Sequence, residues 1–276
     1  MNKKQAFNFL SKNRHSGQAR QRATRNPWAP GGARGDEIKN IKYLLDELPE
    51  RVPLWKLWLI RRQLRRGMPV SKIIGRKWFY GLEFSTGAAT LDPRPDSETL
   101  VEAAIRAARP GVRILDLGTG TGALICALVK NIPGASGVGI DRSRAALRVA
   151  RKNVHRLGLD DNVSICKGSF INHKINQKFD IIVSNPPYIA TGDARVDRSA
   201  KFDPKIALYA GADGLKFYRE IAIAARGLMA ENGKIFLEIG ADAGAAVREI
   251  FAAAGWRFVS GSNDLAGLER VLEFMQ

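Results

Sequence analysis

Two short stretches carry residue types that could do chemistry. Ile114–Gly122 reads ILDLGTGTG, an apolar run ending in an acid and three alternating glycines. Asn185–Tyr188 reads NPPY and follows a second apolar run, Phe179–Ser184. The first stretch reads as a buried strand that enters a tight turn and then a helix over Ala123–Lys130. Gly118, Gly120 and Gly122 tolerate positive φ and let a ligand approach the backbone, with Asp116 and Thr119 beside them. An ordinary strand–turn–helix without a ligand is the plainer reading of such a turn. The spacing is GxGxG rather than the GxGxxG of dinucleotide sites, and no lysine stands where a P-loop needs one.

A second acid narrows the choice. Ser136–Ile140 is a short apolar segment ending at Asp141, 25 residues after Asp116. Acids at the ends of adjacent parallel strands can accept hydrogen bonds from ribose hydroxyls, which suits a nucleoside-bearing cofactor, either a dinucleotide or S-adenosylmethionine. NPPY turns the reading towards methyl transfer. It sits where FDIIVS would end as a parallel strand, the place at which such sheets bind ligands. Pro186 and Pro187 stiffen the backbone. Asn185 offers a side-chain carbonyl and Pro186 a main-chain one, two converging acceptors for both hydrogens of an –NH2 group. A purely structural turn is the alternative.

Residues 69–276 resemble the protein-(glutamine-N5) methyltransferases of peptide-chain release factors. The likeness runs through PVSKIIGRKWFYGLEF (69–84), DPRPDSETLVE (92–102), ILDLGTGTG (114–122) and NPPYI (185–189). It continues through FDPKIALYAGADGLKFYREI (202–221), LEIGADAGAAV (237–247) and DLAGLERVLE (264–273). NPPY is shared with adenine-N6 methyltransferases; the 92–102 block is far more specific. The resemblance implies an α/β fold: a Rossmann-like, seven-stranded class I methyltransferase domain preceded by a small, mainly helical domain and a connecting hairpin. It implies transfer from S-adenosylmethionine to the glutamine of a Gly-Gly-Gln loop, leaving S-adenosylhomocysteine. On the substrate side it places Asn185, Pro186, Pro187 and Tyr188, with the Tyr188 ring over the planar amide. On the cofactor side it places Asp116, Gly118, Thr119, Gly120 and Gly122, together with Asp141, Ser169, Phe170, Asn185 and Arg94.

The chain departs from the family in three places. Residues 1–60 match its N-terminal domain poorly, being shorter and more basic. Asp92 replaces an apolar residue and is expected in solvent or paired with Arg94. Ser169 stands where the family commonly has an acid for the adenine amino group. A serine still accepts a hydrogen bond but loses its charge-assisted part, worth roughly 1 kcal/mol. Cofactor affinity is therefore expected to be modest, with Phe170 still packing near adenine.

The rest of the chain must position these residues. Its 276 residues suffice for one sizeable core and a smaller domain. The expected division is a flexible basic segment (1–35), a helical domain (36–72), a connector hairpin (73–92) and the methyltransferase domain (93–276). Helices are expected at Lys4–Leu10, around Ile38–Leu48 and at Leu54–Arg66, with Trp58 assigned to the core. Asp96 or Ser97 should cap a helix starting near Glu98, and Arg94, Asp96 and Glu98 are candidates for ordering their loop through ion pairs. Further on, Ser143–Leu157, Asp213–Leu228 and Ala243–Ala254 read as helices, and Val163–Cys166 and Lys234–Ile239 as strands. Arg257–Ser260 and Arg270–Phe274 read as an antiparallel edge pair. The loop 189–205 suits a lid, and Glu238 ends a strand on the ligand side.

Charge is unevenly spread. Of the net +17, residues 1–80 carry 19 Lys/Arg against 5 Asp/Glu, leaving 81–276 nearly neutral. That front suggests an anionic partner, with RNA or ribosome contact through residues 1–80 beside the release-factor substrate; a merely solubilising tail is the duller reading. No apolar run is long enough to span a membrane, and Cys126 and Cys166 suggest neither a disulfide scaffold nor a zinc cluster. His15, His155 and His173 read as surface residues, with no metal spacing. A monomer in the cytoplasm is expected, or in an organellar matrix if the Arg-rich start is a targeting segment. Three rival functions stand beside the main one: glutamine methylation of a ribosomal protein, adenine-N6 methylation of DNA or RNA, and non-catalytic RNA binding.

Overall fold

The computed structural model describes residues 1–11, 41–171, 175–194 and 198–276. The chain divides into two compact units, Met1–Ile74 and Gly75–Gln276.

The first unit is helical. Helix α1 (Lys3–Ser11) buries Ala6 and Leu10, and helical residues 41–46 bury Ile41, Leu44 and Leu45. Helix α2 (Leu54–Arg65) buries Leu57 and Ile60, and α3 (Val70–Ile74) adds Val70. These side chains form one small cluster with Val52. One expectation fails here. Trp58 is 58% exposed, beside Trp55 at 69% and Leu54 at 62%. The inward stripe of α2 is Leu57 and Ile60, and the residue after Leu57 is turned roughly 100° away from it. Residues 12–35 of the expected flexible segment, with His15, lie outside the described residues, as does His173.

The second unit opens with a hairpin, β1 (Arg76–Phe79) and β2 (Leu82–Ser85), paired antiparallel. Tyr80 and Gly81 both adopt positive φ in its two-residue turn, the backbone that matches strand twist. Next come α4 (Glu98–Ala107), β3 (Arg113–Leu117), α5 (Ala123–Asn131), β4 (Ser136–Asp141), α6 (Arg144–Arg156) and β5 (Val163–Lys167). They are followed by β6 (Phe179–Ser184), α7 (Lys216–Leu228), β7 (Met229–Glu238), α8 (Gly244–Ala253), β8 (Arg257–Asn263) and β9 (Glu269–Met275). Among the described residues seven strands form one sheet in the order β5-β4-β3-β6-β7-β9-β8. Strands β3 to β7 run parallel; β9 pairs antiparallel with β7 and β8. Alternation along the strands divides the core. Ile114, Ile181 and Val183 join α4 and α5 on one face, while Leu115, Leu117 and Ile182 join α7 and α8 on the other. The chain steps outward from β3 to β5 and returns to β6 beside β3. A crevice therefore opens at the carboxyl ends of β3 and β6.

Several local expectations change. Helix α7 starts at Lys216 rather than Asp213, because Asp213 Oδ1 accepts the Leu215 N–H at 3.0 Å and holds the preceding turn. Strand β7 starts at Met229, before the expected Lys234; Asn232 takes φ 58° and the register with β6 shifts. Asp92 is neither solvated nor paired with Arg94. It is buried and accepts a short hydrogen bond from the Thr86 hydroxyl. Ser97 occupies the N-cap position of α4 without capping it, since a 3-10 turn (Pro95–Ser97) precedes the helix and points its hydroxyl elsewhere.

The hairpin is tied to the sheet layer by one polar side chain. Asn153 of α6 is fully buried, accepts the Ser85 N–H at 2.7 Å, and donates to Ser85 O at 3.0 Å and Thr121 O at 2.8 Å. Asn153→Ala strands those backbone groups and should cost about 2–3 kcal/mol. Urea denaturation would measure it; an unchanged midpoint would refute the tie.

Candidate active site

The turn after β3 is built from its glycines. Gly118, Gly120 and Gly122 have φ of 81°, 56° and 80°, values that strain residues bearing a Cβ. The N–H groups of Gly118 and Thr119 both donate to Ile140 O, at 2.9 and 2.8 Å, folding the turn over the end of β4. A Cβ at Gly118 would lie 3.4 Å from the Phe170 ring, so glycine keeps the floor open there. Asp141 sits at the end of β4, its Oδ2 accepting the Gly120 N–H at 3.0 Å and its Oδ1 the Ser143 N–H at 2.8 Å. Burial raises its pKa while these two donors pull it back. Its carboxyl group lines the crevice, with lone pairs to spare for ribose hydroxyls.

Asp116 lies behind the turn. It is completely buried, accepts the Thr119 hydroxyl at 2.6 Å, and burial pushes its pKa up to about 7. The pair braces the turn from within. Gly122, the residue before α5, closes the turn by donating its N–H to Thr119 O at 2.7 Å.

A cavity of about 400 Å³ occupies the crevice, a size in the range of small-ligand sites. Of the residues singled out in the sequence, Gly118, Gly120, Asp141, Ser169, Phe170, Asn185 and Pro187 line it. Asp116, Thr119, Gly122, Arg94, Pro186 and Tyr188 stand outside its wall. Arg94 instead donates to Asp203 Oδ2 at 2.8 Å, strapping the 93–96 loop to the segment after NPPY. Asp96 lies 3.6 Å from Arg270, and Glu98 accepts the Tyr80 N–H at 2.8 Å. The cavity's roof is Ala89–Leu91, and Lys216 and Glu220 of α7 stand at another side; sequence reasoning had not singled out any of these.

NPPY is held at the end of β6. Ser184 Oγ donates to Leu117 O at 2.6 Å, locking the ends of β6 and β3 together. Ile189 pairs with Tyr209 in a short bridge, and Ala210 donates to Ile189 O at 2.8 Å. A Cβ at Gly214 would come within 2.5 Å of Tyr188 O, and one at Gly240 within 3.3 Å of the Tyr188 ring. Two glycines thus let Tyr188 settle against the backbone. Burial first, then the Glu238 charge, pushes the Tyr188 phenol to about 12, so the ring serves as a neutral wall. Asn185 Nδ2 donates to Ser97 Oγ at 3.1 Å, and Ser97 Oγ donates to Glu238 Oε2 at 2.5 Å. Ser97 was missed as a site residue; its place just before a helix suggested only a cap.

The lining offers groups that a cofactor bearing an adenosine can use: an acid at a strand end, Asp141, an aromatic ring, Phe170, and a hydroxyl, Ser169. An acceptor-bearing residue, Asn185, shares the cavity. The Rossmann-like sheet and this arrangement define an S-adenosylmethionine-dependent class I methyltransferase, and S-adenosylmethionine is its cofactor.

Comparisons with known proteins agree. A family described as "Methyltransferase domain" matches residues 108–237. A release factor glutamine methyltransferase of Agrobacterium fabrum is 44% identical over 75% of this chain and 74% of its own length. One from Rhodospirillum rubrum is 41% identical over 81% and 69%. A methyltransferase from Pyrococcus furiosus shares the fold, with a TM-score of 0.56 at 21% identity, over 77% of this chain and 96% of its own. The chain belongs to the release factor glutamine methyltransferase family.

Ser169 gives the site a test. Ser169→Asp should tighten S-adenosylmethionine binding roughly 5-fold or more, the worth of one charge-assisted hydrogen bond. Calorimetry on both proteins would show it; weaker binding by the variant would place the adenine elsewhere.

Proposed function

We propose that this chain transfers the methyl group of S-adenosylmethionine to the side-chain amide nitrogen of a glutamine in a release-factor Gly-Gly-Gln loop. The products are N5-methylglutamine and S-adenosylhomocysteine. The single observation carrying this reading is the engagement of Asn185 Nδ2 by Ser97, which leaves Oδ1 as an acceptor at a cavity shared with the cofactor residues.

Asp141 would hold the ribose, Phe170 and Ser169 the adenine, and the Gly118–Gly120 backbone the amino-acid end. The cofactor supplies an electrophilic methyl group on a sulfonium. An amide nitrogen is a poor nucleophile because its lone pair is delocalised into the carbonyl, so the protein's task is alignment and exclusion of water. Asn185 Oδ1 and the Pro186 carbonyl would take both amide hydrogens, and Pro187 stiffens that turn. The Tyr188 ring would cover the planar amide. One of the held hydrogens then leaves as a proton to solvent after transfer, with no strong base needed beforehand.

The direct experiment supplies labelled S-adenosylmethionine with purified release factor, ribosomes, RNA and DNA in parallel. Label should appear on the release factor alone. It should fall at least roughly 100-fold with Asn185→Ala, the cost of losing alignment, and vanish when the loop glutamine is replaced. Label on nucleic acid instead would overturn the proposal.

A second proposal concerns the basic front, where RNA is the partner we favour. Helix α2 and the residue that follows it carry Lys56, Arg61, Arg62, Arg65 and Arg66 and no acid. It exposes Trp55, Trp58 and Leu59, with the Arg62 guanidinium 5.8 Å from the Trp58 ring centre. Flat rings beside guanidinium groups suit stacked bases and phosphates together. Trp55→Ala/Trp58→Ala should weaken binding of single-stranded RNA to the full chain about 10-fold, stacking being worth roughly 1–3 kcal/mol per base. Filter binding across a salt series would read this. Unchanged RNA binding with impaired release-factor binding would assign the face to a protein partner.

A further inference from the structure

We infer that Glu238 is a positioning residue for the reaction: through the Ser97 hydroxyl it selects the flip of the Asn185 carboxamide that turns Oδ1 towards the incoming amide. The inference rests on the proposed function and concerns a residue that would touch neither substrate nor cofactor.

The argument is one of hydrogen-bond sense. The two ends of a carboxamide have nearly the same shape, and only their neighbours decide which is which. A flipped Asn185 would present –NH2 to a substrate –NH2, donor against donor. Ser97 Oγ is the neighbour that decides, and a hydroxyl could serve either flip because it both donates and accepts. Glu238 removes that freedom. Its carboxylate only accepts, lies 2.5 Å from Ser97 Oγ, and takes the single hydroxyl hydrogen. Ser97 is then left with lone pairs towards Asn185, which only Nδ2 can meet, at 3.1 Å. Carboxylate, hydroxyl and amide form a chain whose direction is set at the Glu238 end. Glu238 and Ser97 sit where water does not compete, at 1% and 4% exposed, while Asn185 is partly exposed at the cavity wall.

Glu238 is placed for this by the fold. It ends β7, next to β6, and its main-chain carbonyl accepts the Tyr218 hydroxyl of α7 at 2.9 Å. Around its side chain stand Arg270 of β9, Asp96 of the 3-10 turn, and the phenols of Tyr188 and Tyr218. Arg270 is itself committed to Asp264, at 2.9 Å. Burial raises the Glu238 pKa to about 7, against the pull of Ser97, Arg270 and Asn185 and with a further push from Asp96. An acid with a raised pKa is neutral below that value. Once protonated, Glu238 can donate to Ser97 Oγ, the hydroxyl hydrogen is released, and the flip loses its bias.

The test uses the full chain, labelled S-adenosylmethionine and release factor. Glu238→Gln should lower kcat about 10-fold or more, with the cofactor Kd within about twofold and a folded protein by thermal melt. The wild-type rate should fall as pH drops through about 7, whereas the variant should be low and flat across that range. Ser97→Ala should reproduce the loss and Ser97→Thr, which keeps the hydroxyl, should recover most of it; this pair decides the matter if Glu238→Gln does not fold. Wild-type kcat in Glu238→Gln with the same fall through pH 7, or equal kcat in Ser97→Ala and Ser97→Thr, would overturn the inference alone. Label transferred by the wild type only to another acceptor would overturn the functional reading and this inference with it.

Discussion

Amide recognition demands that a carboxamide present one defined end, and nothing in its shape supplies the choice. Asn185 therefore depends on polar neighbours brought from distant parts of the chain. Ser97 comes from the turn before α4, 88 residues away in sequence, and Glu238 from the end of β7. The two meet beside Asn185 only because β7 pairs with β6 and α4 packs on the same sheet. The sheet's apolar alternation, which fills both faces with Ile, Leu, Val and Phe, is what brings these groups to one end. Packing places the three residues, and hydrogen-bond sense then orients them.

The same division holds on the cofactor side. Gly118, Gly120 and Gly122 permit a turn that no other residues would adopt without strain. The turn is specified, though, by what it bonds: Ile140 O, the Asp141 carboxylate, and the Thr119–Asp116 pair beneath it. The Ser184 hydroxyl on Leu117 O fastens the two strands whose ends carry the glycine turn and NPPY. A donor site and an acceptor site for one methyl group cannot drift apart when their strands are clamped at the last residue. Reaction geometry of this kind is sensitive to displacements on the order of 1 Å.

Much of this was legible in the chain. The apolar runs, the glycine spacing, Asp141 and NPPY each act over a few consecutive residues, so their placement at strand ends follows from local pattern. What stayed hidden was pairing at long range. Ser97 looked like a helix cap because serine before a helix usually is one; its hydroxyl is instead taken by a carboxylate 141 positions on. Asp92, expected in solvent or on Arg94, is met by the Thr86 hydroxyl six residues earlier, in a burial that only the folded packing creates. Arg94 looked like a cofactor ligand, whereas Asp203, far along the chain, claims it. Trp58 misled for a different reason. Its side chain is apolar enough for a core, but it stands one residue, about 100°, from buried Leu57, and that angle decides its face.

Charge separates the two units as clearly as structure does. Residues 81–276, which include the crevice lining, are nearly neutral, although S-adenosylmethionine arrives with a sulfonium charge and an ammonium group. The crevice lining offsets its two basic residues, Arg142 and Lys216, with two acidic ones, Asp141 and Glu220. The positive surplus sits in residues 1–80 instead, and the described lining of the crevice begins only at Ala89. A strongly basic front suited to a polyanionic or acidic partner is thus carried by residues other than those that line the site of the cationic cofactor.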